Sequence, residues 1–242
     1  MQLPGTLSPG PPHLVILPGL DATGTQHAAF CAALHAQGIA TTVIAYPVDR
    51  ALDYTELDAF VRQALPTTTP YVLLGESFSG PLALAIAAHP PPLLRGLILS
   101  TTFARSPWRS LRAMQSLVYR APVRLLPMPL PLLSWWLLGR WSTPALRREL
   151  AAALAQVDDD VLRTRAVAAI GVDRSAHAGR VDTPVLCLHA RHDRLLPGFC
   201  QRHLSGLLHA TSVRWLDGPH LLLQARPQAA ADEVGRYLRG LT

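Results

Sequence analysis

The stretch from Pro70 to Pro90, PYVLLGESFSGPLALAIAAHP, restricts the fold of this chain more than any other. Its first part, Tyr71 to Leu74, is an apolar run with the length and composition of a strand. Its last part, Pro81 to His89, consists almost entirely of Leu, Ala and Ile, which indicates a helix buried against a sheet. Proline suits the first turn of a helix because its missing N–H has no partner there. The stretch therefore predicts a strand, a tight turn around Ser77 and a helix.

The turn itself reads Gly75-Glu76-Ser77-Phe78-Ser79-Gly80. A tight strand-to-helix turn exposes its central hydroxyl at the carboxyl edge of a sheet, and the free N–H groups of the helix face that point. This pattern is typical of a nucleophile elbow with Ser77 as the nucleophile, and it resembles the G-x-S-x-G motif of the α/β-hydrolase superfamily. Ser79 replaces the second glycine of that motif. Because serine is small, we expect the turn to form.

Apolar strands alternate with helices along most of the chain. Strands are predicted at 13–17, 39–46, 97–100, 184–189 and 212–216, and helices at 25–37, 54–65, 199–208 and 228–238. We expect Asp53 to cap the helix at 54–65 and Asp21 to cap the one that begins at Thr25. The alternation predicts an α/β fold with a mostly parallel sheet of about six strands flanked by helices. The resemblance implies an α/β-hydrolase fold, which binds its ligands at the carboxyl ends of the strands.

Residues 105–180 interrupt the alternation with helical patterns and no clear strand. We interpret them as a helical cap, or lid, inserted into a core domain made of 1–104 and 181–242. Leu133, Trp135 and Trp136 in this region either line an apolar substrate pocket over Ser77 or pack the cap onto the core, and the sequence leaves both open. The apolar stretch from 125 to 138 is short and rich in proline, so we expect no stable membrane insertion.

A serine nucleophile needs an adjacent base, and that base needs a carboxylate. His220 follows the predicted strand at 212–216 in the sequence DGPHLLLQARP, which resembles the histidine loop of the family. Asp193 follows the strand at 184–189 and resembles the acid of the family, which gives the order Ser, Asp, His. Asp217 is the rival acid, although an Asp-Gly pair is ordinarily turn chemistry.

Acyl transfer also requires two N–H donors aimed at the oxyanion. The resemblance implies that one is the backbone N–H of Phe78, which follows the nucleophile. It implies that the other comes from the loop after the first strand, Pro18-Gly19-Leu20, with Leu20 as the donor. The family usually has His-Gly where this chain has Pro-Gly. Since the donor is a backbone group, the change does not by itself remove the oxyanion hole.

These residues together predict a serine hydrolase of the carboxylesterase type. It would cleave carboxylic esters, or thioesters, through an acyl-enzyme, and it would need neither a metal nor an organic cofactor. The substrate is expected to be a small ester with an apolar acyl or alcohol part. The same triad also serves lyases and acyltransferases, and some proteins with this fold only bind ligands, so these alternatives remain open.

Charge and cysteine content limit the expected partners and location. All 22 basic residues are Arg, and residues 101–180 hold twelve of them against five acidic residues. An Arg-rich cap would attract anionic substrates or an acidic acyl carrier protein, as in the pimeloyl-carrier-protein methyl ester esterases that the chain resembles in general plan, but a solvated face is the simpler interpretation. No nucleic-acid-binding motif accompanies the charge. Three cysteines without paired spacing and an N-terminal segment unlike a signal peptide predict a cytoplasmic protein. The absence of Lys, with abundant Ala, Pro, Gly and Leu, indicates a bacterium with a GC-rich genome.

Overall fold

The computed structural model describes residues 11–108 and 130–241, which form a parallel sheet covered by helices on both faces. Its six strands lie in the order β2-β1-β3-β4-β5-β6, and every neighbouring pair is parallel. The strands are β1 His13–Leu17, β2 Thr41–Val43, β3 Tyr71–Glu76, β4 Leu94–Ser100, β5 Val185–Ala190 and β6 Thr211–Leu216. The predicted sheet of about six strands is confirmed.

Helices connect these strands. In chain order they are α1 Ala28–His35, α2 Tyr54–Ala64, α3 Gly80–Ala88, α4 Leu130–Leu138, α5 Pro144–Leu154, α6 Asp159–Gly171, α7 Ser175–Ala178, α8 Gly198–Gly206, α9 Leu222–Ala225 and α10 Pro227–Arg239. Asp53 caps α2 as predicted, since its carboxylate accepts from the N–H groups of Thr55 and Glu56. None of the described helices is long and apolar enough to cross a membrane.

The two faces of the sheet bury separate apolar layers, because successive strand residues point to opposite sides. In β1, Leu14 and Ile16 pack into the layer under α1 and α10, whereas Val15 and Leu17 pack into the layer under α2 and α3. All four side chains are fully buried. With both faces covered, the strands read as continuous apolar runs, which is why they are visible in the sequence.

Two elements differ from their predictions. The strand expected at 39–46 is only Thr41–Val43, because beyond it the chain leaves the sheet and the Tyr46 N–H bonds to the carbonyl of Ala22. The expectation that Asp21 caps the following helix is wrong. Its carboxylate instead accepts from Thr23, and a 3₁₀ turn begins two residues later, at Thr25, after Gly24.

An insertion separates β4 from β5, and its described part contains α4 to α7 and no strand. A single antiparallel bridge, Arg105 to Asp173, brings the two ends of the insertion together beside the sheet. The apolar residues at 125–128 that were assigned to the cap lie outside the described residues. We refer below to residues 105–180 as the insertion.

Candidate active site

The turn after β3 has the geometry that the sequence predicts for it. β3 ends at Glu76, Ser77 begins a short 3₁₀ turn, and α3 follows with Pro81 in its first turn. A side chain at Gly75 would lie 2.7 Å from Cβ of Ala83, so the strand and helix approach too closely for any residue but glycine there. Ser77 has a φ of 48°, a left-handed conformation that is strained for a serine.

Strained residues cluster around Ser77. In the described part of the chain, the non-glycine residues with positive φ are Ser77, Ala22 and Thr101. They follow β3, β1 and β4, which are neighbours in the sheet, at the carboxyl ends of the strands. Each such conformation costs about 1–3 kcal/mol and is typical of functional sites, because the surrounding structure must hold it in place.

The structure brings Ser77, His220 and Asp193 together in one hydrogen-bonded chain. His220 Nε2 lies 2.8 Å from Ser77 Oγ, and His220 Nδ1 lies 2.8 Å from Asp193 Oδ2. A carboxylate only accepts, so Nδ1 carries the proton and Nε2 accepts from the serine hydroxyl. The side chains of His220 and Asp193 are almost completely buried.

Backbone groups fix the orientation of the acid. The Oδ1 atom of Asp193 accepts from the N–H groups of Leu195 and Leu196 at 2.9 and 2.7 Å, which leaves Oδ2 facing the imidazole. The rival acid, Asp217, is half exposed and pairs instead with Arg140 and His192, each at 2.9 Å.

The environment of His220 makes its imidazolium more stable than that of a free histidine. Burial disfavours the charged ring, but Asp193 and, less directly, Glu76 outweigh burial and raise the pKa of His220 above its ordinary value of 6.5. A base with a raised pKa accepts the serine proton more readily when the nucleophile attacks.

Glu76, next to the nucleophile, belongs to a second buried polar group. Its carboxylate lies 2.8 Å from Nε2 of His27 and accepts from Nε2 of Gln224. Burial raises the pKa of Glu76, but His27 outweighs it and the net pKa is lowered. The pKa of His27 is raised, since the attraction of Glu76 exceeds the effect of burial. His27, Glu76 and Gln224 therefore form a buried hydrogen-bonded group beside the nucleophile in the chain.

The two predicted oxyanion donors lie on either side of Ser77. Leu20 and Phe78 both line the cavity into which Ser77 opens. Within the described residues, the Leu20 N–H donates to no protein acceptor, which leaves it free for a ligand. Phe78 is held by Tyr54, whose ring stacks on it at 4.9 Å and whose hydroxyl donates to its carbonyl at 2.8 Å.

Ser79, where the chain departs from the G-x-S-x-G pattern, supports the same loop. Its hydroxyl donates to the carbonyl of Pro18 at 2.5 Å. Since that uses its single proton, Tyr46, 2.6 Å away, must be the donor in the second bond of Ser79 Oγ. The substituted serine thus links the elbow to the loop that carries Leu20.

An apolar cavity of about 350 Å³ opens above Ser77. The core contributes Leu20, Ser77, Phe78, Phe103, Leu195 and Leu196, and the insertion contributes Trp108, Trp136, Ala166, Ala169 and Ile170. Leu133, Trp135 and Trp136 were expected in a substrate pocket. Of these three, only Trp136 lines this cavity. Trp135 comes directly before Trp136 on α4, faces outward and lies under the guanidinium of Arg194. Leu133 lies three residues before Trp136, nearly one helical turn away. Those two pocket assignments are corrected accordingly.

Comparison with protein families agrees with this architecture. The model of the alpha/beta hydrolase family matches residues 14–233. The chain belongs to the alpha/beta hydrolase family. Among curated proteins, phytyl ester synthase 1 (chloroplastic) of Arabidopsis thaliana is 37% identical over 108 residues. That match covers 41% of this chain and 15% of the plant protein, so the chain spans only a small part of that relative.

Solved structures show the same hydrolase fold. An enol-lactonase from Burkholderia xenovorans LB400 superposes with a TM-score of 0.82 at 16% identity, covering 96% of this chain and 92% of that one. An esterase from Exiguobacterium antarcticum gives 0.79 at 14% identity, covering 94% and 92%. MenH from S. aureus gives 0.75 at 15% identity, covering 95% and 94%. At these identities the likeness establishes the fold alone.

Sequence reasoning missed four polar residues around the candidate site. They are His27, Thr102, Arg165 and Gln224, all buried. No pattern in the sequence marked Arg165, because α6 has no clear apolar face and the burial of Arg165 beside Val161 is visible only in the structure. All four become recognisable only when the fold is assembled.

Proposed function

We propose that this chain is a serine hydrolase that cleaves carboxylic esters through an acyl-enzyme on Ser77. The observation that carries the proposal is the chain of two 2.8 Å hydrogen bonds from Ser77 through His220 to Asp193, at the floor of an apolar cavity. Nucleophile, base and orienting acid are all in contact, as this chemistry requires. A buried, oriented triad also argues against a role limited to ligand binding.

In the first half-reaction, Ser77 Oγ attacks the ester carbonyl carbon while Nε2 of His220 takes the hydroxyl proton. The oxyanion of the tetrahedral intermediate accepts from the N–H groups of Leu20 and Phe78. When the carbon–oxygen bond to the alcohol breaks, His220 gives its proton to the departing oxygen. Asp193 holds the imidazole and stabilises its positive charge throughout.

In the second half-reaction, His220 takes a proton from water, and the resulting hydroxide attacks the acyl carbon. Collapse of the second intermediate releases the carboxylic acid and returns the proton to Ser77. A thioester would follow the same steps with a thiol as the leaving group. Ser77, His220, Asp193 and the two backbone N–H groups supply the nucleophile, the base, the orienting acid and the oxyanion donors that these steps require.

The cavity indicates which esters fit. Among the described residues, the side chains that line it are aliphatic or aromatic apart from Ser77, and none of them is charged. Transfer of a charged group into such surroundings is unfavourable, so the acyl part is expected to be uncharged and apolar. Because Trp136, Ala169 and Ile170 belong to the insertion, we propose that residues 105–180 act as the cap that closes this pocket.

Two further proposals concern what delivers or receives the acyl group. The similarity to a protein named phytyl ester synthase favours an acyltransferase as the second candidate, in which an alcohol replaces water in the second half-reaction. A lyase would use the same triad.

An acidic acyl carrier protein is a candidate acyl donor, since α5 exposes Arg147 and Arg148. Its attraction to these two arginines would weaken as the salt concentration increases.

Hydrolysis of p-nitrophenyl esters from acetate to dodecanoate, by the wild type and by Ser77→Ala, tests the proposal. We expect activity that depends on chain length and that Ser77→Ala abolishes, while Ser212→Ala, an exposed serine on β6, retains it. Equal activity in Ser77→Ala would overturn the assignment of the nucleophile. Adding a long-chain alcohol and measuring the new ester against free acid separates transfer from hydrolysis.

A further inference from the structure

Arg165 places a positive charge at the junction of the insertion and the catalytic core. It lies on α6, and only 1% of its surface is exposed. Its Nη1 donates to the carbonyls of Leu20 and Asp21 at 3.1 and 3.0 Å, and its Nη2 donates to the carbonyl of Pro47 at 2.7 Å. One side chain thereby joins the loop after β1 to the loop after β2.

The partners of this guanidinium are unusual for a buried charge. Within residues 11–108 and 130–241, Arg165 forms no ion pair, and its hydrogen-bond acceptors are backbone carbonyls. Desolvating a charge costs several kcal/mol, and carbonyl dipoles offset that cost less fully than a carboxylate does. The Tyr46 ring, whose centroid lies 5.9 Å from the guanidinium carbon, and the nearby Asp21 also stabilise the charge. An apolar residue would leave the three carbonyls without their donor, so the arginine is tied to these loops rather than to the packing of α6 alone.

Two of the three acceptors lie in the loop that carries the proposed oxyanion donor. Leu20 lines the cavity and contributes its carbonyl to Arg165, and its N–H donates to no acceptor among the described residues. The carbonyl belongs to the peptide after Leu20 and the N–H to the peptide before it, so Arg165 acts on the N–H indirectly, by holding the peptides that follow Leu20 in place. The planar guanidinium suits this task, because it presents several donors in a rigid plane.

The same helix also forms a wall of the cavity. Ala166, Ala169 and Ile170 line the space above Ser77, and Ala166 is the next residue after Arg165. A group that packs against these side chains contacts the helix that holds Leu20. The wall of the pocket and the oxyanion loop are therefore joined through one rigid element.

We propose that Arg165 is a positioning residue that orients the Leu20 N–H toward the oxyanion from the insertion. This inference rests on the proposed function, since it assumes acyl transfer at Ser77. It assigns to the insertion a part in transition-state stabilisation as well as in enclosing the substrate. An interaction that matters only in the transition state changes kcat rather than KM.

The test compares Arg165→Met, which removes the charge, and Arg165→Lys, which keeps the charge on a single nitrogen in place of the planar guanidinium. Arg163→Met is the matched control, because Arg163 lies on the same helix and pairs with Asp160 within it. Two rates are measured for each, the hydrolysis of a p-nitrophenyl ester and the phosphonylation of Ser77 by an alkyl fluorophosphonate. The phosphoryl oxygen of the probe occupies the oxyanion position, so its reaction reports on the hole without requiring an ester substrate.

We expect Arg165→Met to lower kcat and the phosphonylation rate about 10- to 100-fold with KM changed less than about threefold, as misplacement of a catalytic group does. Arg165→Lys should fall between it and the wild type, and Arg163→Met should match the wild type. Wild-type rates in a folded Arg165→Met or Arg165→Lys would overturn the proposal, and so would a change confined to KM. If only Arg165→Lys folds, it decides the question alone. If neither folds, the residue serves stability and the proposal is rejected.

The two proposals fail in distinguishable ways. A wild type that hydrolyses no ester but reacts with the fluorophosphonate would reject the ester substrate and leave the phosphonylation rates to decide the role of Arg165. A wild type that reacts with neither would reject both.

Discussion

Thr102 Oγ1 donates a hydrogen bond of 2.5 Å to the carbonyl oxygen of Ser77. Because a peptide group is planar, that carbonyl and the N–H of Phe78 point in opposite directions from the same bond. Thr102, which follows β4, therefore sets the direction of the second proposed oxyanion donor, just as Arg165 is proposed to set the first. Thr102 acts on the peptide that contains its donor, whereas Arg165 holds the peptide that follows Leu20.

Thr102→Val removes this hydrogen bond and keeps the shape of the side chain. A typical hydrogen bond contributes about 0.5–1.5 kcal/mol, so we expect kcat for ester hydrolysis to fall roughly 2- to 12-fold with KM nearly constant. Thr101→Val is the matched control, because the Thr101 hydroxyl is buried and has no partner among the described residues. Equal kcat values for the two variants would show that the Thr102 bond does not position the donor.

Gly80→Ala tests the packing at the elbow. A Cβ added at Gly80 would lie 1.9 Å from Thr102 Oγ1, so either the helix or Thr102 must move. Overpacking of this kind costs about 1–3 kcal/mol, and we expect that loss in the free energy of unfolding measured in urea, together with reduced activity. Gly206→Ala serves as the control, since no atom would lie within 4 Å of its new Cβ. A stable and fully active Gly80→Ala protein would contradict the close contact.

The pH dependence of kcat/KM should reveal the charge environment of His220. The base must be neutral, so activity falls as the pH drops through a pKa that Asp193 and Glu76 raise above 6.5. Glu76→Gln removes one of the two charges, and we expect the acidic inflection of the profile to move to lower pH. Asp193→Asn removes the nearer charge, so its inflection should move further, with a loss of kcat on the order of 10⁴-fold.

If Glu76→Gln moved the acidic inflection further than Asp193→Asn, the stronger electrostatic effect on His220 would come from Glu76 rather than from Asp193. An inflection that stays unchanged in both variants would mean that the acidic limb belongs to another group. His192→Ala provides a control, because His192 lies in the acid loop but pairs with Asp217 on the surface.

Ser79→Ala tests the residue that departs from the family pattern. The change breaks the bonds of Ser79 to Pro18 and Tyr46 and leaves two buried polar groups without their partner. We expect the free energy of unfolding to fall by about 1–3 kcal/mol, and kcat to fall because Pro18 precedes the oxyanion loop. Ser100→Ala is the matched control, since that buried hydroxyl has no partner among the described residues. Restoring the family glycine with Ser79→Gly should be at least as harmful, because glycine adds backbone freedom without replacing the bonds.

Several features of this chain are readable in the sequence because they arise from neighbouring residues. The run from Tyr71 to Leu74, the small residues of the turn and Pro81 predict the strand, the elbow and the helix, and the structure forms all three. Alternation of strands and helices likewise predicts the parallel sheet. The capping of α2 by Asp53 is a contact over two and three residues, and it too was predictable.

Other features depend on residues far apart in the chain, and these were missed or misjudged. Aspartate is a common N-cap residue, so the sequence favoured a helix cap at Asp21. The loop after β1 is instead held by Arg165, which lies more than a hundred positions later and donates to the Asp21 carbonyl. Trp135 and Trp136 are adjacent tryptophans, and only the packing of α4 decides which of them faces the cavity.

The sequence by itself determined the local elements and the parallel α/β architecture, because hydrophobic periodicity and turn chemistry act over a few residues. The candidates Ser77, Asp193 and His220 came from the resemblance of its motifs to those of the family. Only the tertiary structure decided which buried polar groups meet: His27 with Glu76, Thr102 with the Ser77 carbonyl, and Arg165 with the oxyanion loop. The physical reason is that a desolvated donor or charge must find an acceptor wherever the fold places one. That position is set by the assembled sheet, whose strands bring distant segments of the chain to a single edge.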